Sequence, residues 1–148
     1  KVGCMFDSVL VVCAGNICRS PTAEYVLKSK LQGKNVAVSS AGLTALEGKP
    51  ADAQAQQIAS AHNIDMSEHQ GRQITSNLVA NNSVILVMEL RHVNDLCARY
   101  PQARGKTFLL GKWIGDKEIP DPYRQSQEAF EHVYALIDSA CSAWQKYL

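Results

Sequence analysis

From Ser8 to Cys13 the chain reads Ser-Val-Leu-Val-Val-Cys, a continuous, largely β-branched apolar run. A run without alternation suits a strand buried on both faces of a parallel sheet. Gly15 and Asn16 break it. From Arg19-Ser20-Pro21 onward the apolar positions switch to a 3.6-residue period through Ala23, Val26, Leu27 and Leu31, which predicts a helix. Pro21 stands near the helix start, where a missing N–H costs nothing. Val36 to Ala41 reads as a second strand closed by Gly42. A looser stretch, Leu43 to Pro50, leads to a helix from Asp52, a candidate cap, to about His62. A short helix is predicted near Thr75 to Ala80, then a third buried strand from Ser83 to Met88. The next helix begins about Glu89 and ends near Tyr100, ahead of Pro101. A fourth strand is predicted at Lys106 to Leu110. Beyond a loop with Ile119-Pro120-Asp121-Pro122-Tyr123, a long helix starts at Ser126 or Gln127 and runs to the end. Phe130, Val133, Tyr134, Ile137, Ala140, Cys141 and Trp144 form its apolar stripe.

Strands alternating with helices predict an α/β fold with a parallel sheet and right-handed crossovers. Such sheets bind ligands beyond the carboxyl ends of their strands, where the segment after Cys13 falls. The 148 residues suit a single domain, 1–148, and show no internal repeat or linker. A net charge of +1 gives no reason to expect nucleic acid or an anionic membrane as partner, so any attraction for an anion must be local. No apolar run approaches the roughly 20 residues of a membrane span. The first residues lack a secretion signal, and Met5 is a candidate natural start. The five cysteines, Cys4, Cys13, Cys18, Cys97 and Cys141, show no disulfide-framework spacing, which points to a reducing, cytoplasmic setting.

The segment with the most chemistry is Cys13-Ala14-Gly15-Asn16-Ile17-Cys18-Arg19-Ser20: a cysteine, five residues, then Arg-Ser. It joins a buried strand to a helix N-terminus. A loop so placed can turn its N–H groups inward and, with the helix dipole, cradle a tetrahedral anion. Gly15 and Asn16 tolerate the left-handed angles that the turn demands. Arg19 offers a planar fork for two oxygens of the anion. A thiolate at a helix N-terminus beside arginine is stabilised and nucleophilic, which singles out Cys13. Ser20 is placed to donate a hydrogen bond to that sulfur. Displacing a phosphoryl group from an oxygen also needs an acid, and Asp121, held between Pro120 and Pro122, is the candidate. Read alone, Cys13 would be core packing and Asp121-Pro122 a turn; the two motifs together favour catalysis.

Val11 to Pro21, Ser40-Ala41-Gly42 and Ile119 to Tyr123 resemble the low-molecular-weight protein tyrosine phosphatases, specifically the bacterial branch associated with capsule and exopolysaccharide tyrosine kinases. The likeness spans the chain in order and spacing. It implies a three-layer fold, a four-stranded parallel sheet flanked by helices, with the phosphate loop after the first strand. It implies hydrolysis of phosphotyrosine through a phosphocysteine intermediate, with no metal or organic cofactor. It also implies that Asn16 holds the loop's shape and that Ser40 braces it. A related subgroup acting on phosphoarginine carries threonine where this chain has Ile17. Animal members carry an aromatic residue at the position of Leu46 and a second tyrosine at that of Arg124. Leu46 therefore implies a less aromatic substrate wall, with Tyr123 as the other side. The implied partner is a tyrosine-rich tail of a membrane-bound kinase, met by a monomer or weak dimer without insertion into the membrane.

A thiol-linked arsenate reductase on the same scaffold would need cysteines just past the third strand, where the chain reads Val87-Met88-Glu89-Leu90-Arg91-His92-Val93-Asn94. A phosphocarrier would have little use for Arg19 or Asp121, and a binding-only protein would not need every catalytic group. Cys18 is either a redox partner for Cys13 or a small buried side chain. His62, His69, His92 and His132 lack metal-ligand spacing. Cys4, Cys97 and Cys141 read as packing or surface thiols. Arg91, Arg99, Arg104 and Lys106 read as solvated charge. Trp113 is expected to pack under the acid loop and Trp144 in the core.

Overall fold

A computed structural model describes residues 6–148; the candidate start Met5 and the thiol Cys4 lie outside the described residues. The chain forms β1 (Ser8–Cys13), α1 (Arg19–Lys30), β2 (Ala37–Gly42), α2 (Ala53–Ala61), α3 (Ser76–Ala80), β3 (Val84–Val87), α4 (Leu90–Arg99), β4 (Thr107–Leu109) and α5 (Gln127–Gln145). All strand pairs are parallel, in the order β2-β1-β3-β4. The chain leaves β1 toward one side and later returns on the other. The carboxyl end of β1 is therefore the switch point, where an open α/β sheet has its crevice.

The period of two along β1 sorts its side chains between the two faces. Val9, Val11 and Cys13 join a core built with Leu27, Ile58, Phe130, Ile137 and Trp144 from α1, α2 and α5. Leu10 and Val12 join a smaller core with Ile85, Val87, Val79 and Leu96 on the α3–α4 side. Helices thus cover both faces in three layers. This is why the central strands β1 and β3 carry near-continuous apolar runs. The α5 stripe is buried as its period requires, and Ser126 caps the helix by accepting the Ala129 N–H at 3.2 Å. Asp52 likewise caps α2, accepting the N–H groups of Gln54 and Ala55 at 3.0 and 3.1 Å. Each such cap is worth about 1 kcal/mol.

Three expectations change. β2 continues through Gly42 rather than closing before it, because Gly42 pairs in register with Cys13; the close approach there explains the glycine, since a Cβ would stand 2.6 Å from the Ala14 carbonyl oxygen. Arg99 and Lys106 are not merely solvated. Arg99 Nη1 donates to Leu43 O at 2.6 Å, and Lys106 Nζ donates to Val79 O and Asn82 O at 2.6 and 2.8 Å. Trp113 stacks on Tyr147 (4.3 Å between centroids, 17°) and meets Trp144 edge-on, tying its turn to the end of α5. Trp144 itself is core.

Candidate active site

The loop from Cys13 to Cys18 is held by its carbonyls. Those of Cys13, Ala14 and Gly15 accept the backbone N–H groups of Leu43, Thr44 and Leu46 at 2.9, 2.9 and 3.1 Å. The Asn16 carbonyl pairs with His69 Nε2 at 2.7 Å, and that of Ile17 accepts the Asp52 N–H at 2.7 Å. Cys18 O takes both the N–H and the hydroxyl of Thr22. With every carbonyl turned outward, the N–H groups face the opposite way, into the cleft at the start of α1. No bond from the N–H groups of Ala14 to Cys18 to another protein group is found among the described residues. Asn16 makes the bend with φ +58°, a left-handed angle that asparagine tolerates better than most residues.

Asn16 also organises the side chains beneath. Its Oδ1 accepts the Arg72 N–H at 2.9 Å, so its Nδ2 faces two hydroxyls, Ser20 Oγ at 2.8 Å and Ser40 Oγ at 3.0 Å. Ser40 passes its own proton to Glu24 Oε1 at 2.5 Å, and Glu24 Oε2 is met by Lys28 at 2.6 Å. Ser20 Oγ lies 2.9 Å from Cys13 Sγ. Ser20 Oγ accepts from the amide, and the sulfur is the only other partner of that hydroxyl found among the described residues, so the serine proton is assigned to the sulfur. Ser20 thus acts from behind Cys13 rather than lining the cleft.

Arg19 is 2% exposed. Its Nη1 donates to Glu89 Oε2 at 2.6 Å and to Ile119 O at 2.8 Å; its Nη2 stands 3.9 Å from Asp121 Oδ2. Hydrogen bonds from Arg91 and then Arg19 hold the Glu89 carboxyl at about 2, against its burial. Burial, with Asp52 and Cys13 adding to it, pushes the Cys18 thiol well above the ordinary range, so it is protonated. Asp121 is half exposed and turns its Oδ1 to the Tyr123 N–H at 3.0 Å.

These residues enclose a cleft of about 250 Å³ with loop residues 13–19 as its floor and Thr44, Leu46, Asp121 and Tyr123 as its walls. The structure therefore brings together all three expected reactive groups, Cys13, Arg19 and Asp121, and both expected walls, Leu46 and Tyr123. Ser40 sits below, in the Asn16 network. Arg124 lies over the Tyr123 ring at 5.2 Å. Among the described residues no group of three His, Cys, Asp or Glu side chains gathers to hold a metal.

Sequence reasoning missed Glu89, His69, Arg72, Glu24 and Thr44. Only Glu89 carries a local signal, an acidic residue at a helix start just past a strand end.

A thiol, a buried arginine and a facing carboxylate thus share one cleft at the carboxyl end of the sheet, where such folds bind ligands. The model of the low molecular weight phosphotyrosine protein phosphatases matches residues 8–148, and the chain belongs to that family. It is 48% identical to the low molecular weight protein-tyrosine-phosphatase Etp of Escherichia coli over 97% of this chain and 95% of that protein. Vibrio vulnificus Wzb, solved in complex with benzylphosphonate, superposes with a TM-score of 0.93 at 53% identity, covering 97% of this chain and 99% of that one. The tyrosine phosphatase Wzb of Escherichia coli, solved with sulphate, gives a TM-score of 0.91 at 44% identity, covering 95% and 97%.

Proposed function

We propose that this single-domain protein hydrolyses phosphotyrosine through a phosphocysteine intermediate, with Cys13 as nucleophile and Asp121 as general acid and base. The observation that carries the reading is convergence. A thiol bonded by a hydroxyl, a buried guanidinium and a half-exposed carboxylate 3.9 Å from it meet at one cleft. The phosphate sits on the inward N–H groups of Ala14 to Cys18, with the Arg19 fork on two of its oxygens. Cys13 Sγ attacks phosphorus and the bond to the tyrosine oxygen breaks, while Asp121 gives its proton to the leaving phenolate. Asp121 then takes a proton from water as that water attacks phosphorus. The S–P bond breaks, and the thiolate leaves onto the Ser20 hydroxyl. Fixed dipoles and Arg19 meet the charge spread over the equatorial oxygens, where electrostatic stabilisation counts most.

The choice of tyrosine follows from reach and lining. Cys13 is 3% exposed on the cleft floor, and Ile17, Leu46 and Tyr123 offer apolar contact to an aromatic ring. Arg124 at the rim adds a positive charge suited to acidic residues beside the phosphotyrosine. The substrate we propose is the tyrosine-rich tail of a membrane-bound bacterial kinase controlling exopolysaccharide or capsule production, reached from the cytoplasm. Similarity to proteins named Wzb and Etp supports this, together with the bacterial-branch resemblance of the three motifs. Among the described residues no helix is long and apolar enough to cross a membrane.

Hydrolysis of para-nitrophenyl phosphate by the parent and by Cys13→Ser tests the mechanism. Turnover in the parent that disappears in the variant is expected. An inactive parent in reducing buffer, or a variant equal to it, overturns the reading.

A further inference from the structure

His92 lies in the first turn of α4, directly behind Glu89 and the arginine it holds. Its side chain is 3% exposed. Nδ1 accepts the backbone N–H of Glu89 at 3.2 Å, so Nδ1 carries no proton and the neutral ring must carry it on Nε2. That Nε2 is buried and has no hydrogen-bond partner among the described residues. It faces Glu89 Oε2 at 3.9 Å, the same oxygen that grips Arg19 Nη1 at 2.6 Å. A buried donor without an acceptor is costly, and native interiors keep few of them. One that points at the carboxylate behind a ligand-binding arginine is poised for a second state of that pair.

Glu89 Oε2 takes Arg19 Nη1 at 2.6 Å and, more weakly, Arg91 Nη2 at 3.4 Å, while Oε1 takes Arg91 Nε at 2.8 Å. Both Nη1 protons of Arg19 are taken, by Glu89 Oε2 and Ile119 O, which leaves Nε and Nη2 to meet phosphate oxygens; a shift of the guanidinium toward them would lengthen the Glu89 contact. The carboxylate then loses part of its partner and is free to turn toward the ring. We propose that His92 is a positioning residue for the Arg19 clamp: with phosphate bound, its Nε2–H donates to Glu89 Oε2 and keeps that carboxylate in place as the countercharge of Arg19. This rests on the reading of Arg19 as a phosphate ligand.

The ring suits the task because it is neutral. Burial, and then the nearby Arg19, push its pKa down to about 4, against the opposing pull of Glu89; Arg91 and Asp95 are the other charges facing it. A charged imidazolium would compete with Arg19 for Glu89 outright. A neutral N–H lets the arginine dominate until phosphate draws it away.

The alternative is that His92 only caps α4 through Nδ1. Two measurements separate the roles. In the parent, the long-range ¹H–¹⁵N pattern of the ring should show the Nε2–H tautomer, and titration with inorganic phosphate should move the Nε2–H resonance downfield. In His92→Asn the side-chain oxygen can still accept the Glu89 N–H, but nothing replaces Nε2. We expect inhibition by inorganic phosphate to weaken about 10-fold, with kcat/KM for para-nitrophenyl phosphate falling by a similar factor; one charge-assisted hydrogen bond accounts for such a change. An Nδ1–H tautomer, a resonance unmoved at saturating phosphate, or a folded variant whose inhibition constant stays within about twofold of an active parent overturns the proposal alone. Should the variant fail to fold, the resonance in the parent still decides. A parent that neither turns over nor binds phosphate overturns the site reading, and this proposal with it.

Discussion

Asn16→Asp tests the direction of the hydrogen bonds under the phosphate loop. The substitution preserves size, tolerance for the +58° φ and the oxygen that accepts the Arg72 N–H at 2.9 Å. It replaces the Nδ2 donor with a carboxylate oxygen that can only accept. Ser20, 2.8 Å away, then has a charged acceptor on one side and Cys13 Sγ at 2.9 Å on the other, with a single proton to give. The carboxylate takes it, and the sulfur loses its donor. Hydrogen bonds to charged groups contribute about 1.5–3 kcal/mol. At about 1.4 kcal/mol per decade that predicts kcat/KM falling about 10- to 150-fold. Alkylation of Cys13 by iodoacetate in mildly acidic buffer should slow in parallel. The same logic makes the effect depend on Ser20. Ser20→Ala removes the same bond, so adding Asn16→Asp to it should cost much less than the two losses summed. Additive losses in the double variant, or a folded Asn16→Asp enzyme within about threefold of the parent, would refute the assigned proton direction.

Asp121→Asn should lower kcat on a phosphotyrosine peptide by about 10²–10⁴-fold. The loss should be smaller on para-nitrophenyl phosphate, whose phenolate leaves with less need of a proton; equal losses on both would argue against an acid role. Gly42→Ala places a Cβ 2.6 Å from the Ala14 carbonyl oxygen and 3.0 Å from Asn16 Cβ. Overpacking of this kind costs about 1–3 kcal/mol. Because the phosphate loop must yield, phosphate inhibition should weaken along with Tm; a lower Tm with unchanged inhibition would show that the loop did not move. Acid stability should fall in two stages. His92 has its pKa pushed down to about 4 in the fold, so the unfolded chain binds a proton that the native one refuses, and stability declines from about pH 6.5 to about pH 4 by at most about 3 kcal/mol. Glu89, held at about 2, contributes stability present above about pH 4.5 and lost as the pH falls toward 2. Urea midpoints across this range check both, and a flat profile in the first interval would contradict the burial of a neutral His92.

Much of this protein is legible in one dimension because its decisive segments are local. β1, the turn at Gly15-Asn16 and the start of α1 adjoin in the chain, so the loop, its thiol and its arginine follow from period, breaker and cap. The apolar runs of the central strands announce cover on both faces, and the stripe of α5 names its buried side. Asp121 was legible only because a thiol and an arginine elsewhere called for an acid.

What the sequence left open depends on where separate segments meet. Glu89 reaches Arg19 because β1 and β3 pair in register, so the end of one strand and the helix after the other share an edge. His69 and Arg72 hold Asn16 only once their loop folds back along β2, where Gly42 pairs with Gln73. No period or spacing encodes such contacts, since a polar residue on a loop has many partners of equal local merit. Hydrogen-bond direction was hidden for the same reason. That Ser20 gives its proton to sulfur follows from what Asn16 does with its amide, and that follows from a backbone N–H on a distant segment. Chain-local chemistry determined which groups are the candidates for reaction; tertiary packing, by surrounding each with a single set of donors and acceptors, decided how they are held.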